Sequence, residues 1–183
     1  MKFTPTAIPE VMLVEPRVFG DERGFFFESY QAQEFASSGI SAQFVQDNHS
    51  GSRQGSLRGL HYQIQQPQGK LLRVVAGQVF DVAVDLRRSS PTFGNWVSAV
   101  LSAENKLQFW VPPGFAHGIY VLSEWAELLY KTTDYYAPQW ERTIRWDDPQ
   151  IGIAWPLIEG RDPILSTKDT QGQLFSEADS YES

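Results

Sequence analysis

The chain has 183 residues, 42% of them hydrophobic and 14% aromatic, which suits one domain (1–183) with a sizeable core. With 15 basic and 22 acidic residues its net charge is −7, which excludes a general attraction for nucleic acid or anionic membrane. It has no cysteine, so disulfides and thiolate zinc sites are excluded as well.

The opening residues Met1 to Pro5 lack the apolar run of a signal peptide, and no window approaches the ~20 apolar residues of a membrane helix. A cytoplasmic protein is therefore expected. Residues 8–19 read as one or two short extended segments, interrupted by Pro9 and Pro16. Asp21 to Gly24 is a predicted turn, followed by a strand from Phe25 to Tyr30. Gln31 to Ala36 is the best helix candidate, with Gly39 placed to stop it. Gln43 to His49 reads as a strand that turns polar at its end.

In Arg58-Gly59-Leu60-His61-Tyr62-Gln63, alternation puts His61 and Gln63 on one face and Leu60 and Tyr62 on the other. His61 reads either as a base meeting a ligand or as a core histidine tied by hydrogen bonds. Lys70–Val75 and Val79–Leu86 flank Ala76-Gly77-Gln78 and are predicted to form a hairpin. In the second arm Asp81 shares a face with Val79, Ala83 and Asp85. Further strands are expected at 96–101, 108–111, 115–121 and 126–132, the last placing Tyr130 on the face of Ala126 and Leu128. Residues 134–150 read as irregular, 151–155 as a short strand, and the polar tail as a possible helical turn near Leu174. Short strands with Gly and Pro turns predict an all-β sandwich or barrel. Such a fold leaves sheet edges that dimerisation can cover.

The three histidines, 49, 61 and 117, fall in different strands or strand ends. Metal-binding cupins carry His-x-His, which this chain lacks, so no metal is expected. The alternative is metal-free acid–base chemistry, with His61 as base and Tyr130 as a buried acid. Arg23, Arg58, Lys70 and Lys168 could together hold a diphosphate if they converge in space.

Several stretches together resemble the dTDP-4-dehydrorhamnose 3,5-epimerase family. They are 21–30, 44–50, 57–63, 77–87 and 113–118, with Tyr130-Lys131, Trp146-Asp147-Asp148-Pro149 and Ser166-Thr167-Lys168-Asp169. The resemblance runs from about Ile8 to Asp169. It implies a cupin-like jelly roll with a few short helices. It also implies a homodimer without cofactor or metal, acting on dTDP-4-dehydro-6-deoxy-D-glucose. His61 matches the family's base, Tyr130 its acid, Asp169 the partner of the base, and Lys70 the group beside the keto oxygen. Arg23, Glu28, Gln46, Asp47 and Asn48 match substrate-contacting positions. So do Arg58, His117, Glu141 and Lys168. Tyr136, with Tyr135 beside it, matches the ring that stacks on thymine. The chain departs from the family after Glu141, where Arg142-Thr143-Ile144 replaces a glycine-containing run, and in the tail beyond Asp169. A one-carbon epimerase or a ketoisomerase on a related dTDP-4-keto sugar is the alternative on the same scaffold.

With both residues on one regular strand, alternation would put Arg58 opposite His61, whereas the resemblance puts both in the site. A bulge near Gly59 is expected to reconcile them.

Overall fold

Strand alternation is realised as two antiparallel sheets that share one core. The computed structural model describes residues 1–182. In chain order the strands begin β1 Lys2–Pro5, β2 Met12–Glu15, β3 Phe19–Asp21 and β4 Gly24–Phe26. Helix α1 (Ala32–Ser37) precedes β5 Gln46–Arg53, β6 Leu57–Gln63, β7 Lys70–Ala76 and β8 Gln78–Asp85. Then come β9 Trp96–Ser102, β10 Gln108–Val111, β11 Phe115–Val121 and β12 Trp125–Thr132. A 3₁₀ turn at Pro138–Trp140 leads into β13 Glu141–Thr143, and α2 is Thr167–Thr170.

The six-stranded sheet has the order β1-β2-β10-β7-β12-β5 and the five-stranded sheet β13-β6-β11-β8-β9. Leu72, Val74 and Leu128 from the first meet Val79, Ala83 and Ile119 from the second in the core. This is a jelly roll, and its mouth lies between the two sheets. The outer face of β8 is covered too: Val82, Val84 and Leu86 pack with Leu60, Ile151, Phe175 and Ala178. Among the described residues no helix is long and apolar enough to cross a membrane.

Five local expectations are corrected. Residues 134–150 are not irregular throughout, because 141–143 form β13, which pairs with β6. β7 and β8 do not form a hairpin, because β7 pairs with β10 and β12 while β8 pairs with β9 and β11. The chain passes from one sheet to the other at Gly77, whose φ is +72°; a Cβ there would lie 2.0 Å from the Trp125 carbonyl. Residues 151–155 form no strand: the Gly152 and Trp155 N–H groups bond to Asp148 and Ile153 in local turns. The strand expected to reach Tyr30 ends at Phe26, since β4 pairs only with β3. The helix runs one residue later than expected, because Gln31 serves as its cap and its side chain accepts from the Glu34 N–H. The turn near Leu174 is present, with Glu177 N–H bonded to the Leu174 carbonyl at 3.0 Å.

Candidate active site

The mouth holds a cavity of about 360 Å³, within the range of small-molecule sites. His61 and Arg58 enter it from β6 and His117 from β11, while Lys70 and Tyr130 enter from β7 and β12 of the facing sheet. The β6–β11 register explains why Arg58 and His61 share it. His117 pairs with His61 but Ile119 pairs with Arg58, so β6 carries one extra residue. That bulge centres on Gly59, with φ +130°, where a Cβ would lie 2.6 Å from the Gly118 Cα.

His61 Nε2 lies 2.5 Å from Asp169 Oδ1. Asp169 sits in the single turn of α2, capped by Ser166, whose Oγ donates to Oδ2 at 2.6 Å; the Gly59 N–H donates to Oδ1 at 3.2 Å. Burial would raise the Asp169 pKa, but the bonds from His61 and Ser166 and the Gly59 N–H overcome it and hold it down to about 2. An ionised Asp169 makes Nε2 the protonated nitrogen and leaves the lone pair on Nδ1. Burial lowers the His61 pKa below 6.5; Asp169 pulls the other way, and the charges of Lys168 and Lys70 add to the lowering. The ring is a neutral imidazole poised as a base.

Tyr130 is the opposite case. Burial raises its pKa, Arg58 opposes and Glu141 adds, so its hydroxyl keeps its proton at neutral pH. Burial brings Lys70 down to about 8, while Asp81 and Glu141 favour its ammonium and Lys168 disfavours it. A base and a protonated acid thus stand on facing sheets, with an ammonium beside them. This arrangement can remove a proton from one face of a ring and return one from the other.

The rim is tied together. Glu141 accepts from Lys168 Nζ at 2.7 Å and from the Tyr136 hydroxyl at 3.0 Å. The Tyr136 N–H donates to Gln46 Oε1 at 3.0 Å, and Gln46 Nε2 donates to Asn48 Oδ1 at 3.0 Å. Glu141 is seated by β13, where it pairs with Gln63, despite the unusual residues that follow it. Gln63 itself is structural: its side chain bonds to the backbone of Gln66, Tyr135 and Ala137.

Besides Asp169, which stands behind His61, four sequence candidates lie outside the cavity walls. Asp47 points to the outer face of β5, pairs with Lys131 at 2.9 Å and lines a separate cavity, as alternation with Gln46 and Asn48 requires. Tyr135 is 61% exposed, and its carbonyl rather than its ring is engaged, accepting from Gln63. Arg23 lies in the exposed β3–β4 hairpin, bonded to Asp21 at 2.6 Å, and Glu28 is exposed just beyond it. Ser50 and Gln68 line the cavity but escaped the sequence reading. Alternation from Gln46 and Asn48 points to Ser50; Gln68 is in a loop and has no such signal. Asp81, which alternation sets on one face with Val79, Ala83 and Asp85 without giving it a part in the site, is bonded to His117 at 2.7 Å. His49 lies on the outer face, 3.0 Å from Glu127. Among the described residues no three His, Asp or Glu side chains gather as metal ligands.

The profile of the dTDP-4-dehydrorhamnose 3,5-epimerase family matches residues 5–177. The dTDP-4-dehydrorhamnose 3,5-epimerase of Pseudomonas aeruginosa is 63% identical over 182 residues, 99% of each chain. Among solved structures, the dTDP-6-deoxy-D-glucose-3,5-epimerase of Legionella pneumophila, in complex with dTDP-4-keto-L-rhamnose, superposes with a TM-score of 0.94 at 55% identity; the match covers 97% of this chain and 94% of that one. A 3'-monoepimerase from Streptomyces bikiniensis, in complex with dTDP-quinovose, gives a TM-score of 0.87 at 32% identity, covering 94% and 87%.

Proposed function

The chain belongs to the dTDP-4-dehydrorhamnose 3,5-epimerase family, and we propose that it converts dTDP-4-dehydro-6-deoxy-D-glucose to dTDP-4-dehydro-L-rhamnose by cofactor-free acid–base chemistry. The observation that carries the chemistry is the pairing of a neutral His61 and a protonated Tyr130 on facing sheets.

The C4 keto group acidifies the C3 and C5 protons. His61 takes one of them, and the electron pair of the broken C–H bond moves into an enolate whose charge rests on the C4 oxygen. The Lys70 ammonium stabilises that oxygen; a lost oxyanion donor typically costs ~3 kcal/mol. Tyr130 then protonates the carbon from the other face, so the composition is unchanged and the centre is inverted. That cycle leaves His61 protonated and Tyr130 as a phenolate; His61 releases its proton to solvent and Tyr130 takes one up, and a second cycle at the other carbon completes the product. Arg58 and Lys168 are suited to the diphosphate and the exposed Tyr136 ring to the thymine.

The β3–β4 hairpin explains why Arg23 and Glu28 miss the cavity of their own chain. It carries Phe25 and Phe26 at 65% and 67% exposure, far more than an isolated chain gains by displaying. Both residues fit a homodimer in which the hairpin delivers them to the partner's cavity. The core shared by the two sheets supports one domain. A nucleotide-sugar substrate supports the cytoplasm, and the negative net charge argues against nucleic acid or membrane partners.

The test is turnover of the 4-keto sugar in D₂O, followed by NMR. Deuterium at both C3 and C5 of an L-configured product is expected; no wash-in at either carbon overturns the reading. Label confined to one carbon, as the likeness to a 3'-monoepimerase allows, would establish one-site epimerisation instead.

A further inference from the structure

Among the described residues four aspartates are buried, and three of them use both oxygens. Asp85 is bonded through both to Arg87, Ser90 and Thr92, and Asp148 accepts from three backbone N–H groups. Asp169 is bonded through both as described. Asp81 is the exception. It is 0% exposed, and its Oδ1 lies 2.7 Å from His117 Nε2, but Oδ2 is buried with no hydrogen-bond partner among the described residues. An unmade bond of this kind costs ~1–3 kcal/mol, so its retention calls for an explanation.

The surroundings supply one. Alternation on β8 turns Asp81 into the space between the sheets, where it pairs in register with Ile119, a wall residue of the cavity. Lys70 enters that space from the facing sheet. Among the described residues the site's close carboxylate contacts join Asp169 to His61, Asp81 to His117 and Glu141 to Lys168, and Lys70 is in none of them.

We propose that Asp81 is a positioning residue with two tasks: Oδ1 fixes the His117 ring, and Oδ2 supplies the counter-charge for the Lys70 ammonium. The proposal rests on the epimerase reading, in which Lys70 faces the enolate oxygen. Other ionisable groups around Lys70 are His61 and Arg58 from β6, His117 from β11 and Tyr130 from β12. Glu141, Lys168 and Tyr136 close the rim. Of the two carboxylates that favour the ammonium, Asp81 acts more strongly than Glu141. Lys168, with Glu141 as its own ion-pair partner, disfavours it. Without Asp81, burial would leave more of Lys70 neutral near pH 7 and the enolate less well supported.

The experiment titrates Lys70 by NMR in ligand-free protein carrying ¹³C-labelled lysine, its signal assigned by its loss in Lys70→Met. Asp81→Asn keeps an acceptor for His117 Nε2–H and removes only the charge. The Lys70 midpoint should fall by about one pH unit, as the loss of a close opposite charge requires. The alkaline limb of the rate profile should fall by the same amount, with kcat reduced and KM nearly unchanged. An unmoved Lys70 midpoint in folded Asp81→Asn overturns the proposal. If that variant does not fold, Asp81→Ser, which also removes the charge, is read by the same lysine titration, and an unmoved Lys70 midpoint there sinks the idea. Coupled titrations in a protein that does not turn over the sugar would keep the charge pair and count against the epimerase reading.

Discussion

His61 and Asp169 lie 108 residues apart in sequence and 2.5 Å apart in space. The carboxylate decides which imidazole nitrogen carries hydrogen. In Asp169→Asn the amide can instead donate to Nε2, which moves the ring hydrogen to Nδ1 and removes the lone pair that acts as base. A comparable change in Ser-His-Asp triads costs about 10⁴-fold. We expect kcat to drop by at least about 10²-fold, with dTDP affinity measured by calorimetry little changed. Full activity in the variant would remove Asp169 from the mechanism.

Base and acid should separate cleanly. His61→Asn is expected to abolish both solvent exchange and epimerisation, a loss on the order of 10³-fold or more, while dTDP still binds. Tyr130→Phe should retain deuterium exchange at C3, since His61 can remove and return a proton on its own face. Inversion should suffer most at C5. If exchange and inversion are lost equally, Tyr130 does more than protonate the far face.

The rate should follow a bell in pH. His61 must be unprotonated, and its pKa lies below 6.5, so the acid limb of kcat/KM should fall below that value. Lys70 must be protonated, and its pKa is about 8, so the rate should decline as pH rises through that region. In Lys70→Met the alkaline limb near 8 should vanish along with most of the activity. A wild-type profile flat from pH 7 to about 10 would contradict the role given to Lys70.

Asp85 should matter for stability. It is buried, and although burial raises its pKa, bonds from Arg87, Ser90 and Thr92 bring it to about 2, against 3.8 when free. Because the folded-state value is the lower, the stabilisation is present above about pH 4 and fades as pH falls through about 2. It amounts to about 2 kcal/mol. Urea unfolding of Asp85→Asn at pH 7 should show at least that loss, and the difference from wild type should shrink in acid.

The aromatic hairpin gives the last prediction. Replacing Phe25 and Phe26 together with glutamate should turn a dimer into a monomer in sedimentation velocity, and activity should fall because Arg23 and Glu28 no longer reach a site. A fully active wild-type monomer would exclude the shared-site arrangement.

Alternation made much of this site readable. It put His61 opposite Leu60 and Tyr62, and the resulting conflict over Arg58 pointed to the bulge found at Gly59. It does not tell which sheet a strand joins, so two runs flanking Gly77 looked like a hairpin although they lie in different layers. The resemblance named Asp47 alongside Gln46 and Asn48, yet a strand cannot turn three successive side chains inward. Asp169 sits in a short capped turn with no periodicity, and only the resemblance marked it. Asp81 had its face correctly read, but an oxygen left without a partner is visible only once the surrounding chain is in place.

The clasp over the outer face of β8 has a consequence for biosynthesis. Tyr181 donates to the Gln63 carbonyl across 118 residues, and Asp169 reaches back to His61. On a ribosome, the strands carrying His61, Lys70 and Tyr130 emerge well before the residues that orient the base and seal the second core. The nascent chain must therefore hold an uncovered apolar face until the tail residues Phe175, Ala178 and Tyr181 are made, the interval in which chaperone capture and aggregation compete with folding.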